Sequence, residues 1–269
     1  MGHIDVVAER TFDEPVLIEG LPGVGLVGKI VADHLVDALD MELYATVHCD
    51  ALPPAAAYTG GDRAVTTPVR LYAAPDADLL VLQSDVPVSP DAAEEFAGCI
   101  ESWFREASVT PVYIAGLRRE DGASGRSGAD AAEDAKDAED GTAVGETRSP
   151  TLRGLAVGDG AALLDRIDVP APESAGLISG PTGALLAHAM ATELPAVGLV
   201  VDVDPQFPDP TAARVVLERA VEPITGVDVD VDALTAQAER IQRAKEQFAA
   251  RMSRDDEAVS QAQRLRMYQ

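Results

Sequence analysis

Short runs of Val, Leu and Ile recur along this chain, each too short for a helix and bounded by turn residues. They read as strands at 16–20 (VLIEG), 43–49, 69–74, 79–84, 111–116, 152–157, 175–179 and 196–201. Helical spacing fills the gaps. Val27, Ile30, Val31, Leu35 and Ala38 make one stripe over 24–39. Phe96, Ile100, Trp103 and Phe104 make another over 90–107, entered through Ser89-Pro90-Asp91. Strands that are apolar on both faces and alternate with helices must be covered on both sides. The expected fold is therefore a three-layer α/β/α sandwich with a mostly parallel sheet.

Two stretches depart from that rhythm. Residues 118–150 are rich in Gly, Ala, Ser and acid and lack apolar periodicity, so a disordered acidic insertion is expected there. From 231 onward Leu234, Ala238, Ile241, Lys245, Phe248, Met252 and Val259 follow a spacing close to seven. That spacing predicts a helix over 231–256 with a narrow apolar seam. The seam suits either another subunit, through Leu234, Ile241, Phe248 and Met252, or the chain's own sheet. The body is then 1–230, and 257–269 is a flexible tail.

Charge narrows the function. The chain carries 46 acidic and 21 basic residues, a net charge of −25, and its only lysines are Lys29, Lys136 and Lys245. Acids spread along the whole chain with so few lysines fit a cytoplasmic protein of a high-salt organism, where screening keeps such a surface hydrated without strong self-repulsion. Nucleic acid, which needs a basic stripe, is not an expected partner. The most apolar stretch, 175–201, is interrupted at Gly180-Pro181 and Pro195, which argues against a membrane span. Cys49 and Cys99 are too few and too far apart for a zinc cluster or a disulfide framework. His48, Cys49 and Asp50 alternate along one strand, a polar strand end rather than a catalytic dyad. No metal and no cofactor is expected.

Two glycine turns raise the question of a nucleotide. In EGLPGVGLVGKI (19–30), Gly23, Gly25 and Gly28 satisfy G-x-G-x-x-G, and Gly23 with Gly28-Lys29 approaches the P-loop pattern. Each match fails where its chemistry is most demanding. Ile30 stands where the P-loop needs a hydroxyl for magnesium, and Asp50 lies 27 positions beyond Gly23, a poor fit to the spacing of about 20 for the ribose-binding acid. The second turn, Gly180-Pro181-Thr182-Gly183, repeats the same strand, Gly, Pro, Gly, helix order. Both turns are explained by tight strand-to-helix connections. A nucleotide- or nucleoside-binding enzyme using them, ATP-grasp-like or phosphorylase-like, is the alternative. The ATP-grasp variant is weakened because Lys29 is the only lysine placed to reach a phosphate.

The segments IEGLPGVGLVGKIVADHLVDAL, LPPAAAYTGG, LLVLQSDVPVSP and LISGPTGALL together resemble the archaeal branch of the proteasome assembly chaperone family, from about residue 3 to about 252. The resemblance implies a nucleoside-phosphorylase-like sandwich that forms homo-oligomers, lacks established catalysis and binds α-subunits of the proteasome core particle. It also implies a role for the last residues. Met267-Tyr268-Gln269 fits the hydrophobic–Tyr–any tail of proteasome activators and assembly chaperones. In such a tail the Gln269 carboxylate meets a cation, Tyr268 fills an apolar slot and Met267 adds apolar area.

Overall fold

The structure is a computed structural model that describes residues 2–58, 63–118, 149–241 and 243. In chain order its elements are β1 (Gly2–Val6), β2 (Val16–Gly20), α1 (Val27–Ala38), β3 (Glu42–Cys49), β4 (Ala57–Tyr58), β5 (Val65–Thr66), β6 (Val69–Ala73) and β7 (Leu79–Ser84). There follow α2 (Ala93–Glu106), β8 (Thr110–Arg118), β9 (Leu152–Val157), α3 (Ala161–Ile167), α4 (Gly180–Thr192), β10 (Ala196–Val203) and α5 (Pro210–Val216). A π-helical turn at Leu217–Val221 carries α5 into α6 (Glu222–Thr225). Helical residues resume at 232.

The main sheet has the order β1-β3-β6-β7-β2-β8-β10-β9, and β4 with β5 forms a separate hairpin. β2 pairs in parallel with β7 (Val16↔Leu79) and β8 (Val16↔Thr110), and β8 pairs in parallel with β10 (Val112↔Val197). The remaining pairings are antiparallel: β1 with β3, β3 with β6, β6 with β7, and β9 with β10. The mostly parallel sheet expected from sequence is thus a mixed one, with a parallel centre and antiparallel flanks. Helices connect the central strands, whereas β6 and β7 are joined by the short turn 74–78 and β3 reaches β6 through the β4–β5 hairpin with no helix between them, connections that suit antiparallel pairing.

Strand alternation divides the core in two. Leu17, Leu80, Leu82 and Tyr113 face Phe96, Ile100 and Phe104 of α2 and Leu185 and Ala189 of α4. Their neighbours Ile18, Val81, Val112 and Ile114 face Val27, Val31 and Leu35 of α1 and Ala212, Ala213 and Val216 of α5. A chain whose successive strand residues are buried on opposite faces requires helices on both sides. The three layers follow.

Three expectations change. Residues 175–179 form no strand but run irregularly into α4. Both edges of β10, the strand that follows them, are already taken by β8 and β9. Leu234 is buried in the protein's own core cluster beside Val229 and Val221, so it is not part of a seam offered to another subunit. Cys49 and Cys99 form a disulfide across a sequence separation of 50. Their spacing hid it, because β3 and α2 meet only in the folded chain. The expectations for the 118–150 insertion, for Phe248 and Met252, and for Met267, Tyr268 and Gln269 fall almost wholly or wholly outside the described residues.

Candidate functional site

The carboxyl ends of the parallel strands gather both glycine turns. β2 ends at Gly20, and the chain turns through Leu21–Leu26 into α1. Gly23 is extended (φ −131°), with open space around it. Gly25 has φ +67°, and a side chain there would meet Val203 of β10. Gly28 brings α1 against the backbone of β2, where a Cβ would come within 3.1 Å of the Glu19 carbonyl. At the second turn Gly180 has φ +69°, Pro181 occupies the first helical turn of α4, and a Cβ on Gly183 would strike the Ile178 carbonyl. Close approach and left-handed backbone account for most of these glycines without a ligand.

Glu19 joins the two turns. Its Oε1 accepts from the Leu21 N–H at 2.9 Å, and its Oε2 accepts from the Ile114 N–H of β8 at 3.0 Å. The Thr182 hydroxyl of the second turn lies 3.4 Å from the same Oε2. The carboxyl is fully buried. Burial pushes it up to about 7, although the N–H groups of Ile114 and Leu21 and the Thr182 hydroxyl pull it down.

Lys29, the cation nearest a phosphate role, is engaged. Its Nζ donates to Asp33 Oδ1 and Oδ2 at 2.7 and 2.9 Å and lies 3.5 Å from Asp85 Oδ1. Gln83 Nε2 donates to Asp33 at 2.8 Å. Arg70 Nη2 donates to Gln83 at 2.9 Å and to Asp85 at 2.6 Å, and Arg70 Nη1 donates to the Thr67 carbonyl at 2.9 Å. Two cations and two carboxylates therefore close on one another in a balanced chain from α1 across β7 to β6. Such a chain holds the strand ends and leaves little positive field for an added phosphate.

A second buried polar group sits between the helices of the opposite face. Glu101 of α2 is fully buried. It accepts from the Tyr113 hydroxyl at 3.0 Å and lies 2.6 Å from His188 Nδ1 of α4. Burial raises the Glu101 carboxyl, against the pull of His188 and Tyr113. Burial and the neighbouring Glu101 hold the Tyr113 hydroxyl far above its ordinary range, so it stays protonated and donates. The arrangement has an acid, an imidazole and a phenol, and it locks α2 to α4 and β8.

The sequence singled out the glycines and Lys29 but not Glu19, Asp33, Arg70, Gln83, Asp85, Glu101, Tyr113 or His188. A glutamate inside the apolar run VLIEG was the one visible signal, since a charged residue at a central strand end needs partners.

The fold and this strand-end cluster define an α/β sandwich protein with glycine turns closed by a buried carboxyl. A family model, described as the PAC2 family, matches residues 17–249, and the chain belongs to that family. The chain is 25% identical to an uncharacterized protein of Methanocaldococcus jannaschii over 97% of its own length and 94% of the other's. A second uncharacterized protein of that organism is 32% identical over 83 residues, 31% of this chain and 33% of its own. Among solved structures, Pyrococcus furiosus PbaA, described as an archaeal homolog of proteasome-assembly chaperone, superposes with a TM-score of 0.69. It is 24% identical, covering 91% of this chain and 96% of that one. P. furiosus PbaB, described as an archaeal proteasome activator, gives 0.68 at 20% identity, covering 92% and 98%. These likenesses establish the fold.

Proposed function

We propose that this protein is a non-enzymatic proteasome assembly chaperone or core-particle adaptor, working in the cytoplasm of a halophilic archaeon. Its α/β body presents the carboxyl-terminal tail to the α-subunits of the core particle. The reading rests chiefly on membership of the PAC2 family. PbaA and PbaB, which share the fold, are described by proteasome assembly and activation. Met267, Tyr268 and Gln269 are the proposed plug, with the ring in an apolar slot and the terminal carboxylate against a cation. The body is proposed to form a homo-oligomer partly through the late helix. Because Leu234 is spent on the protein's own core, that contact falls to Ile241, Phe248 and Met252. Several tails on one oligomer add their weak affinities through effective concentration. The engagement of Lys29 by Asp33 and Asp85 argues against the rival nucleotide reading.

The test is co-purification of intact protein, and of protein lacking residues 267–269, with native proteasome core particles in molar potassium chloride. Intact protein is expected to be retained and the shortened protein lost, with the shortened protein keeping the same thermal midpoint. Equal retention of both overturns the tail role. Failure of both to be retained overturns the proteasome reading itself.

A further inference from the structure

At the outer edge of the sheet, far along the order from the glycine turns, three side chains converge from two strands. β1 and β3 pair antiparallel with His3 directly opposite His48 and Asp5 directly opposite Thr46. Alternation places His3 and Asp5 on one face of β1, and the register puts His48 and Thr46 on that same face of β3. The His3 and His48 rings stack with centroids 4.7 Å apart and planes 3° from parallel. Asp5 Oδ2 lies 3.4 Å from His3 Nε2 and 3.5 Å from His48 Nε2.

We propose that His3, Asp5 and His48 form a cross-strand site for a divalent first-row transition ion of the zinc class. The distances carry the proposal. An ion bound tetrahedrally to imidazole nitrogen and carboxylate oxygen at about 2.0–2.1 Å requires ligand atoms about 3.3–3.4 Å apart. Two edges of the triangle already have nearly that length. The three ligating atoms lie within 4.8 Å of one another, and the two imidazoles must turn out of their parallel stack to bring both in-plane lone pairs onto one ion. Freedom for that rotation exists, because the side chains of His3, Asp5 and His48 are 63%, 58% and 42% exposed. Two imidazoles with one carboxylate suit zinc, cobalt or nickel better than magnesium or calcium, which take oxygen ligands.

The Thr46 hydroxyl, 3.2 Å from His48 Nε2, is displaced when that nitrogen turns its lone pair to the ion. Three protein ligands leave at least one coordination position for water. The consequence lies in the fold. Among the described residues β1 is an edge strand with a single neighbour, and the ion ties it to that neighbour. The next residue, Cys49, ties the same end of β3 to α2 from the other face. Ion and disulfide are thus staples on opposite sides of one strand end.

A surface this acidic collects divalent ions loosely, so the test must separate a built site from that background. Zinc is titrated by calorimetry into the metal-free full chain in molar potassium chloride with excess magnesium. The expected result is about one equivalent bound at micromolar or tighter dissociation constant, weakened at least about tenfold by His48→Ala and by Asp5→Asn. His34→Ala, whose ring instead contacts the Asp230 carbonyl at 2.8 Å, is expected to bind as the parent does. Cobalt in place of zinc is expected to give the visible absorption of a four-coordinate ion, lost in the same two variants. Loss in His48→Ala distinguishes the cross-strand site from chelation by the amino-terminal segment alone. Zinc binding that is unsaturable, or unchanged by His48→Ala, overturns the proposal.

Discussion

Glu19 shows how one residue joins segments far apart in sequence. Its carboxyl takes the N–H of Leu21, the N–H of Ile114 and the hydroxyl of Thr182, so β2, β8 and the start of α4 share one acceptor group. Its titration carries a sign opposite to that of most carboxyls. An ordinary value of 4.5 rises to about 7 in the fold, so the folded protein holds the proton more tightly than the unfolded chain. The stability this supplies is full below about 4.5 and is lost as pH climbs through about 7. At most it is worth about 3 kcal/mol. Glu19→Gln is expected to be less stable at pH 5 by about 1–3 kcal/mol, because an amide oxygen cannot replace both carboxyl oxygens. Between pH 5 and 8 its stability is expected to fall less than that of the parent. Urea unfolding of both proteins across that range checks this, and parallel curves would refute it. At this scale the sequence was only partly legible. Gly25 announced its turn because left-handed backbone and a close neighbour leave few alternatives to glycine, but nothing in VLIEG says which N–H groups its glutamate will meet.

Elements were more legible where one segment decides its own structure. The 24–39 and 90–107 stripes became α1 and α2 with their adjoining 3₁₀ turns, ending within one residue of expectation. The run at 152–157 became β9 at those same bounds. Failures came where a distant partner decides. Residues 175–179 have a strand's composition but no open edge beside β10, and β1 (GHIDV) has little apolar content yet pairs because β3 offers an edge. The Cys49–Cys99 disulfide belongs to the same class of failure, since two cysteines 50 apart reveal nothing until β3 and α2 pack. It ties the end of β3 to the middle of α2, beside Gly2, where any larger side chain would press on Cys99. Closing a loop of that length is worth about 2–4 kcal/mol by restricting the unfolded chain. The Cys49→Ser/Cys99→Ser double variant is expected to lose that much in chemical unfolding, and the parent is expected to lose it on reduction. An unchanged midpoint in the double variant would show that the bridge contributes nothing.

Across the whole molecule, one sheet carries two cores and two unlike margins. The margin at β1 lies on β3, whose end the bridge fastens to α2, whereas the margin at β9 is reached through residues 119–148. Arg118 and Leu152 lie on opposite sides of β10, paired with Val203 and Val201. Their strands are two spacings apart, about 10 Å. That gap is short enough for a linker of about eight Gly and Ser residues to bridge. Replacing 119–148 by such a linker is expected to leave the fold intact and to raise stability by about 1 kcal/mol, since a shorter loop costs less to close. Thermal unfolding and circular dichroism of the shortened chain check it, and a molten or aggregated product would refute it. The same geometry makes the gap between β8 and β9 a docking port for engineering. A fluorescent domain with adjacent ends, spliced in after Arg118, would ride on the finished sheet and report where the protein goes, while the carboxyl terminus stays untouched.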